Sequence, residues 1–237
     1  PRRADTATGK PRGSWRCFDE EYGGSIEPIR QLVWSVSYTP DGKFLVAGGR
    51  EGWFVVRESA TMKRVKSDKI TGETLRGHYY SPDARWLLVI EDTPGDVDYI
   101  HVFNTTTWNV VSKIAVGDLI NSLYFLGKGE RFIASGRKGD IMIWDFNTET
   151  GSIGARTPWG KYSGGTKGLV LTRDQKSVVV ASSTLGKQLC EYDLETKKIL
   201  WSQSNTPQVD TISPFGSDAF ITSDWDHHIR VSRRTPA

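Results

Sequence analysis

The chain has 237 residues, 37% of them apolar and 25% charged, with a formal net charge of +3. This is ordinary globular composition, long enough to bury a substantial core as one β domain or two smaller ones, and near enough to charge balance that no anionic partner is demanded. Two cysteines, Cys17 and Cys190, without CxxC spacing, argue against a disulfide framework and for a reducing, intracellular setting, cytoplasmic or nuclear. Neither an apolar run long enough to span a membrane nor the apolar stretch of a signal peptide is found.

Residues 1–12 read as a flexible, mildly basic tail. Near the start Arg2, Arg3, Lys10, Arg12, Arg16 and Arg30 are almost matched by Asp5, Asp19, Glu20, Glu21 and Glu27, so nucleic-acid binding through it is not expected. From residue 13 to 235 a single domain is expected, built from repeats near 13–31, 32–70, 74–115, 119–156, 166–204 and 207–235. The first complete unit, WSVSYTPDGKFLVAGGREGWFVVRE at 34–58, reads as strand, Thr39–Gly42 turn, strand, Gly49–Gly52 turn, strand. The second carries Ser81-Pro-Asp-Ala84 in the place of Thr39–Gly42, and the fourth Thr172-Arg-Asp-Gln175. In the third, DIMIWDFNTETG (140–151) ends an apolar strand on Trp144-Asp145. First-turn anchors fall on Tyr38, Tyr80, Phe125, Leu171 and Ile212, at intervals of 42, 45, 46 and 41 residues. The position of Trp144 is taken by Arg57, Phe103, Tyr192 and Ser232 elsewhere, and Phe18-Asp19 stands 39 residues before Arg57.

Each unit holds four short strand candidates, in the first case 33–38, 43–48, 53–58 and 63–66. Runs such as Leu87–Ile90 and Val178–Ala181 are apolar on consecutive positions, which means both faces are covered. Sheets of that kind stack on like sheets, and radial stacking into a propeller leaves only short edges. Sustained helical periodicity is absent. VWSVSYTPDGKFLVAGG (33–49) and GDIMIWDFNTETG (139–151) resemble the repeats of the WD40 β-propeller family. The resemblance implies an all-β fold of four-stranded antiparallel blades, with five to six blades represented. EYDLETKKILWSQ (191–203) resembles the units of quinoprotein-like propellers, and VFNTTTWNVVSKIAVG (102–117) those of bacterial surface and haem-d1 propellers. The family's buried Asp–His–Ser/Thr–Trp network is expected to be missing, since Lys138 stands for its Asp and Gly77-His78 sits too close to Ser81-Pro82. Blade stability should then rest on packing. Residues 25–31 could complete the last blade and close a five-bladed ring. The resemblance, with Pro1 in place of an initiator Met, favours instead a fragment of a seven-bladed ring.

Little catalytic chemistry is legible. His101 sits mid-strand and reads as a hydrogen-bonded structural histidine; His227 and His228 are adjacent and point to opposite faces, so no metal site is expected. The four carboxylates of 91–98 lack the order of a calcium loop and read as a solvated acidic loop. No cofactor is expected, and the chain is read as non-enzymatic. The loops then remain as working parts. Arg50, Arg137 and Trp225 share one register in the turns between second and third strands. A long, Gly-rich loop at 155–166 adds Trp159 and Tyr162, either as binding groups or with Trp159 as a staple. The expected site is this rim of Arg50, Arg137, Trp159, Tyr162 and Trp225, taking a protein or peptide. The alternatives are a redox propeller, or a carbohydrate or nucleic-acid binder using Trp15, Trp108 and Trp159. The oligomeric state is not legible.

Overall fold

The β-branched runs become strands at the expected period. The computed structural model describes residues 2–4, 11–14, 32–95, 97–162, 164–182, 189–203, 209–215, 219–224 and 228–233. Strands β1 (Arg2–Ala4) and β2 (Pro11–Ser14) pair as a two-stranded antiparallel sheet where a tail was expected. Blade 1 is β3 (Val33–Tyr38), β4 (Phe44–Gly49), β5 (Trp53–Glu58) and β6 (Arg64–Lys69), paired in chain order. Blade 2 is β7 (Thr74–Tyr80), β8 (Trp86–Asp92), β9 (Tyr99–Asn104) and β10 (Val110–Ala115). Blade 3 is β11 (Ile120–Leu126), β12 (Arg131–Gly136), β13 (Asp140–Phe146) and β14 (Ile153–Lys161). Blade 4 is β15 (Thr166–Leu171), β16 (Ser177–Ser182), β17 (Leu189–Asp193) and β18 (Ile199–Gln203). Blade 5 shows three strands, β19 (Val209–Phe215), β20 (Ala219–Asp224) and β21 (Ile229–Arg233). Residues 15–31, read as the remnant of another repeat, lie outside the described residues.

Strand pairing bears out the repeat register at the Trp144 position, but of the first-turn anchors Ile212 falls two residues early, since it is Pro214 that pairs with Phe220 as Tyr38 pairs with Leu45. Arg57, Phe103, Trp144, Tyr192 and Ser232 each pair with the same position of the second strand, namely Leu45, Leu87, Phe132, Val178 and Phe220. Every first strand carries an irregularity, with Trp34, Asn121, Lys167 and Asp210 the extra residue at one shared place and Gly77 the extra residue one position nearer the turn. The Pro-Asp-Gly-type turns work through one hydrogen bond. The hydroxyls of Thr39, Ser81 and Thr172 donate to the carboxylates of Asp41, Asp83 and Asp174, at 2.7, 2.6 and 2.8 Å. Thr39 and the backbone of Lys43 together hold the Asp41 carboxyl down at about 2. In the next turn, Asn104, Asn147 and Asp193 each accept backbone N–H groups two and three residues on, which closes the hairpin to the fourth strand.

The chain divides into two compact units, one holding blades 1 and 2 and the other blades 3 to 5. In the first, Val46, Phe54 and Val56 pack on Leu75, Leu87, Val89 and Phe103 of the next blade, with Trp108 as a wedge. In the second, Ile133 and Ile141 meet Leu169, Val178 and Val180, and Val170 and Val179 meet Ile212 and Phe220. These are the doubly covered sheets implied by the consecutive apolar runs.

Two expectations are corrected. Residues 155–161 do not form a mobile loop: Ile153–Lys161 is a nine-residue edge strand, and Pro158 fits there because an edge strand can spare a ladder hydrogen bond. Buried polar contacts are also present where packing alone was expected. Glu91 accepts from Thr71, from His101 at 2.6 Å and from Lys113 at 2.8 Å. Burial pushes the Glu91 carboxyl up, but these three donors outweigh it and its net direction is down. In blade 4, Ser177 donates to the buried Glu191.

Candidate partner-binding rim

The turns joining second to third strands carry the rim. In blade 1 the chain leaves β4 at Gly49 and re-enters at Trp53 through a single 3-10 turn, Arg50–Gly52. Arg50 is exposed, and its backbone N–H donates to the Leu32 carbonyl at 3.0 Å. Gly52 has a φ of +73°, and a Cβ there would strike the Thr71 carbonyl, so the turn admits only glycine at its end. The same device recurs in blade 3. Arg137 is exposed and its N–H donates to the Leu119 carbonyl at 2.7 Å; Gly139 has a φ of +94° and lies against the Tyr162 carbonyl. Asp118 braces this second turn, accepting from the backbone of Leu119 at 2.8 Å and of Lys138 at 3.2 Å. Both arginines are therefore exposed cationic arms on glycine-closed turns.

A cleft lies beside Arg50, and another beside Asp118, which braces the Arg137 turn. In the first unit it measures about 480 Å³ and is lined by Arg50, Glu51, Glu73, Thr74, Asp92 and Thr93 among others. Its acids are partly answered by Lys69 on Glu51 (3.6 Å) and Arg76 on Asp92 (3.3 Å). In the second unit a smaller cleft of about 170 Å³ is lined by Gly117, Asp118, Asp140, Met142, Trp144 and Arg156 among others. The Arg156 guanidinium lies 5.5 Å over the Trp144 ring and donates to the Val116 carbonyl at 2.9 Å. Trp144 itself is buried.

The other expected site residues do not join the arms. Trp159 and Tyr162 are each only 7% exposed. Trp159 donates its indole N–H to the Leu194 carbonyl at 2.9 Å and meets Tyr192 edge-on. The Tyr162 hydroxyl donates to Cys190 Sγ at 3.0 Å, and burial pushes its pKa up. Both rings fasten β14 onto blade 4, so they are core groups; of the two earlier readings for Trp159, the staple is the correct one. Trp225 lies outside the described residues. Trp108, offered for sugar stacking, is buried against Phe44 and Phe54, and Trp15 lies outside the described residues. The 91–98 segment is not a solvated acidic loop. Glu91 and Asp98 are buried, Asp98 accepting from the Ile120 N–H at 3.1 Å, Asp92 is paired with Arg76, and Asp96 lies outside the described residues.

His78, expected to stand outside the family's buried network, holds a polar relay. Its Nε2 lies 3.0 Å from the Ser35 hydroxyl and its Nδ1 3.0 Å from that of Ser37, which continues to the Tyr80 hydroxyl at 3.3 Å. Contact between serine and imidazole is the geometry of nucleophile and base. Burial lowers the His78 pKa to about 3, however, leaving a ring too weakly basic to take a proton from serine near neutral pH. His101 is buried on Glu91, and burial lowers its pKa as well. Among the described residues no three His, Cys, Asp or Glu side chains converge on a metal position.

The family model for the WD domain, G-beta repeat, matches residues 27–56, the stretch that builds β3, β4 and the Arg50 turn. The chain carries a WD40 repeat and folds as a β-propeller. Its blades superpose on the β-propeller domain of Cps50 (Swd1) from Myceliophteria thermophila with a TM-score of 0.71 at 14% identity, covering 90% of this chain and 69% of that one. Hydrazine synthase of Kuenenia stuttgartiensis matches at 0.69 and 14%, over 84% of this chain and 71% of the other. A mitotic checkpoint complex structure matches at 0.67 and 13%, over 86% and 63%. At these identities the likeness is one of fold. By sequence, the U3 small nucleolar RNA-associated protein 18 homolog of Arabidopsis thaliana is 24% identical over 127 residues, 51% of this chain. The chain spans about a fifth (21%) of that relative's length.

Proposed function

We propose that this WD40-type propeller is a non-enzymatic scaffold that binds a protein or peptide through its second-to-third-strand turns, with Arg50 of the first unit and Arg137 of the second each as a cationic contact. The observation that carries this reading is the repetition of one device. Two blades hold an exposed arginine on a turn whose far end is locked by a glycine pressed against a carbonyl. Arginine is among the side chains that most often anchor interfaces, and a rigid turn reduces the ordering cost of binding. The names of similar proteins support a role in assemblies: one structure is of a mitotic checkpoint complex, and the sequence relative is associated with a small nucleolar RNA. They also support an intracellular setting, cytoplasmic or nuclear. Hydrazine synthase shows that the fold can also occur within an enzyme, and the weak basicity of His78 argues against serine–histidine chemistry here. No helix among the described residues is long and apolar enough to cross a membrane.

Replacing Arg50 and Arg137 together by alanine should weaken partner capture about tenfold or more, because interface arginines commonly contribute more than about 1 kcal/mol each. The thermal midpoint should stay put, since both side chains are exposed. Affinity capture with the intact protein as control reads the first, and scanning calorimetry the second. An unchanged set of captured partners rejects the rim.

A further inference from the structure

The cleft beside Asp118 holds polar groups that the fold leaves unsatisfied. One wall is Trp144, which is only 4% exposed. Phe132 stacks on its ring with centroids 6.1 Å apart, and the Arg156 guanidinium lies over it. The indole N–H, the one polar group of the ring, meets no acceptor among the described residues. A buried donor in that position is costly until something accepts from it. Of the guanidinium N–H groups, one donates to the Val116 carbonyl and the others meet no acceptor among the described residues.

The same cleft holds two carboxylates, Asp118 and Asp140. Ser135 pairs with Ile141, so the continuing ladder sets Gly136 opposite Asp140. Opposed residues of an antiparallel pair share a face, with Cβ positions about 4.5–5.5 Å apart. The Asp118 carboxylate fills the space that a Cβ at Gly136 would need, which puts it beside Asp140. Glycine at 136 is what lets the two acids meet. Asp118 is fixed by two backbone N–H groups, and Asp140 is paired with Lys161 at 3.2 Å, a side chain that is itself 71% exposed. Both carboxylates keep lone pairs to spare.

Unpaired donors and spare acceptors thus share a space of about 170 Å³, room for one side chain. A full charge of either sign would meet its like there. An ammonium meets Arg156, and a carboxylate meets Asp118 and Asp140. A neutral group with an acceptor and donors at one end meets neither penalty and can satisfy both sets.

We propose that this cleft takes a primary carboxamide, the side chain of a glutamine or asparagine in the bound peptide. Its oxygen accepts from the Trp144 indole and from Arg156, its amide N–H groups donate to Asp118 and Asp140, and its stem lies along Met142. This rests on the reading that a peptide docks at the Arg137 turn, and adds which residue that peptide brings.

Titration of the isotope-labelled protein with N-acetylglutamine N-methylamide, followed through the indole N–H resonances by nuclear magnetic resonance, tests it. The Trp144 resonance, identified by its loss in Trp144→Phe, should shift and saturate in the millimolar range. The corresponding glutamate, lysine and leucine compounds should each need about tenfold more for half the shift, and Asp140→Asn should weaken the glutamine compound about tenfold. An unmoved Trp144 resonance, or equal shifts from all four compounds, overturns the proposal. A stronger response to the glutamate or lysine compound assigns the cleft to a charged side chain and overturns it too. Should Trp144→Phe fail to fold, through-bond assignment of the unsubstituted protein identifies the same resonance. Arg137→Ala separates the two readings, since it should lower partner capture and leave this titration unchanged. Capture that survives Arg137→Ala while the titration holds removes the arginine contact and keeps the cleft; lost capture with no titration removes the cleft alone.

Discussion

The seam between blades 1 and 2 and the seam between blades 3 and 4 use the same strands in the same register, yet differ in chemistry. At the first, Phe54 stacks on Phe103 with centroids 4.2 Å apart, and beside them His78 bridges Ser35 and Ser37. At the second, Leu169 stands where His78 does, surrounded by Ile133, Ile141, Val178 and Val180, with Trp159 and Tyr162 closing the outer end. Close packing is what the fold requires at both; the polar relay is an option that one seam takes. The second seam is consequently indifferent to protons at this position and the first is not.

The largest expected effects break the packing of each seam. Phe54→Ala and Trp159→Ala should each destabilise by about 3–5 kcal/mol, since each removes a buried ring from a filled space. Guanidinium unfolding followed by tryptophan fluorescence and circular dichroism gives the numbers. A loss under about 1 kcal/mol for Trp159→Ala, within the range of surface substitutions and small trimmings, would return that residue to the surface and undo its reading as a staple.

A smaller effect separates the seams by pH. Burial depresses the His78 pKa from 6.5 to about 3. Between those values the unfolded chain takes up a proton that the folded chain does not, so stability rises with pH through this window and falls as acid is added. The stability is fully present above pH 6.5 and is lost progressively toward pH 3, with a slope of at most about 1.4 kcal/mol per pH unit from this one group. His78→Leu, which copies Leu169, should flatten that part of the curve, while Leu169→Val should lower the whole curve without changing its slope. Urea midpoints measured between pH 4 and 7 distinguish them; an unaltered slope in His78→Leu would show that the relay is not the source.

Much of this architecture was legible in the sequence, because the information that sets a strand's register is local. The Pro-Asp turn fixes where the second strand starts, and the distance from there to Arg57, Phe103, Trp144 or Tyr192 follows from hairpin geometry alone. That is why even Arg57 and Ser232, which lack the aromatic, take the place of Trp144, and the structure pairs them with Leu45 and Phe220 as Trp144 pairs with Phe132. The site was less legible. Whether a tryptophan in a Gly-rich stretch is buried depends on the blade it meets, and Trp159 meets Tyr192 and Leu194 more than thirty residues away. Likewise Glu91 looked like part of an acidic loop because its partners, Thr71, His101 and Lys113, lie on three other segments. The shared register of Arg50 and Arg137 is legible because their turn is closed by nearby glycines, a purely local signal.

The smallest expected effect concerns that same local level. Ala84 and Gln175 occupy, with φ near +58° and +56°, the left-handed turn position that Gly42 and Gly129 fill in blades 1 and 3. A side chain there costs about 1–2 kcal/mol in steric conflict, which glycine avoids. Ala84→Gly should therefore stabilise by about 0.5–1 kcal/mol, as relief of a left-handed alanine outweighs the added freedom of the unfolded chain. Gln175→Gly should gain nothing, because its side-chain oxygen accepts the Gly127 N–H at 2.6 Å and that bond, worth about 1 kcal/mol, goes with it. The pair of urea midpoints, read against the unsubstituted protein, sets turn strain against a tie between neighbouring blades. If both variants gained equally, the Gln175 bond would carry no weight, and strain alone would govern the turns.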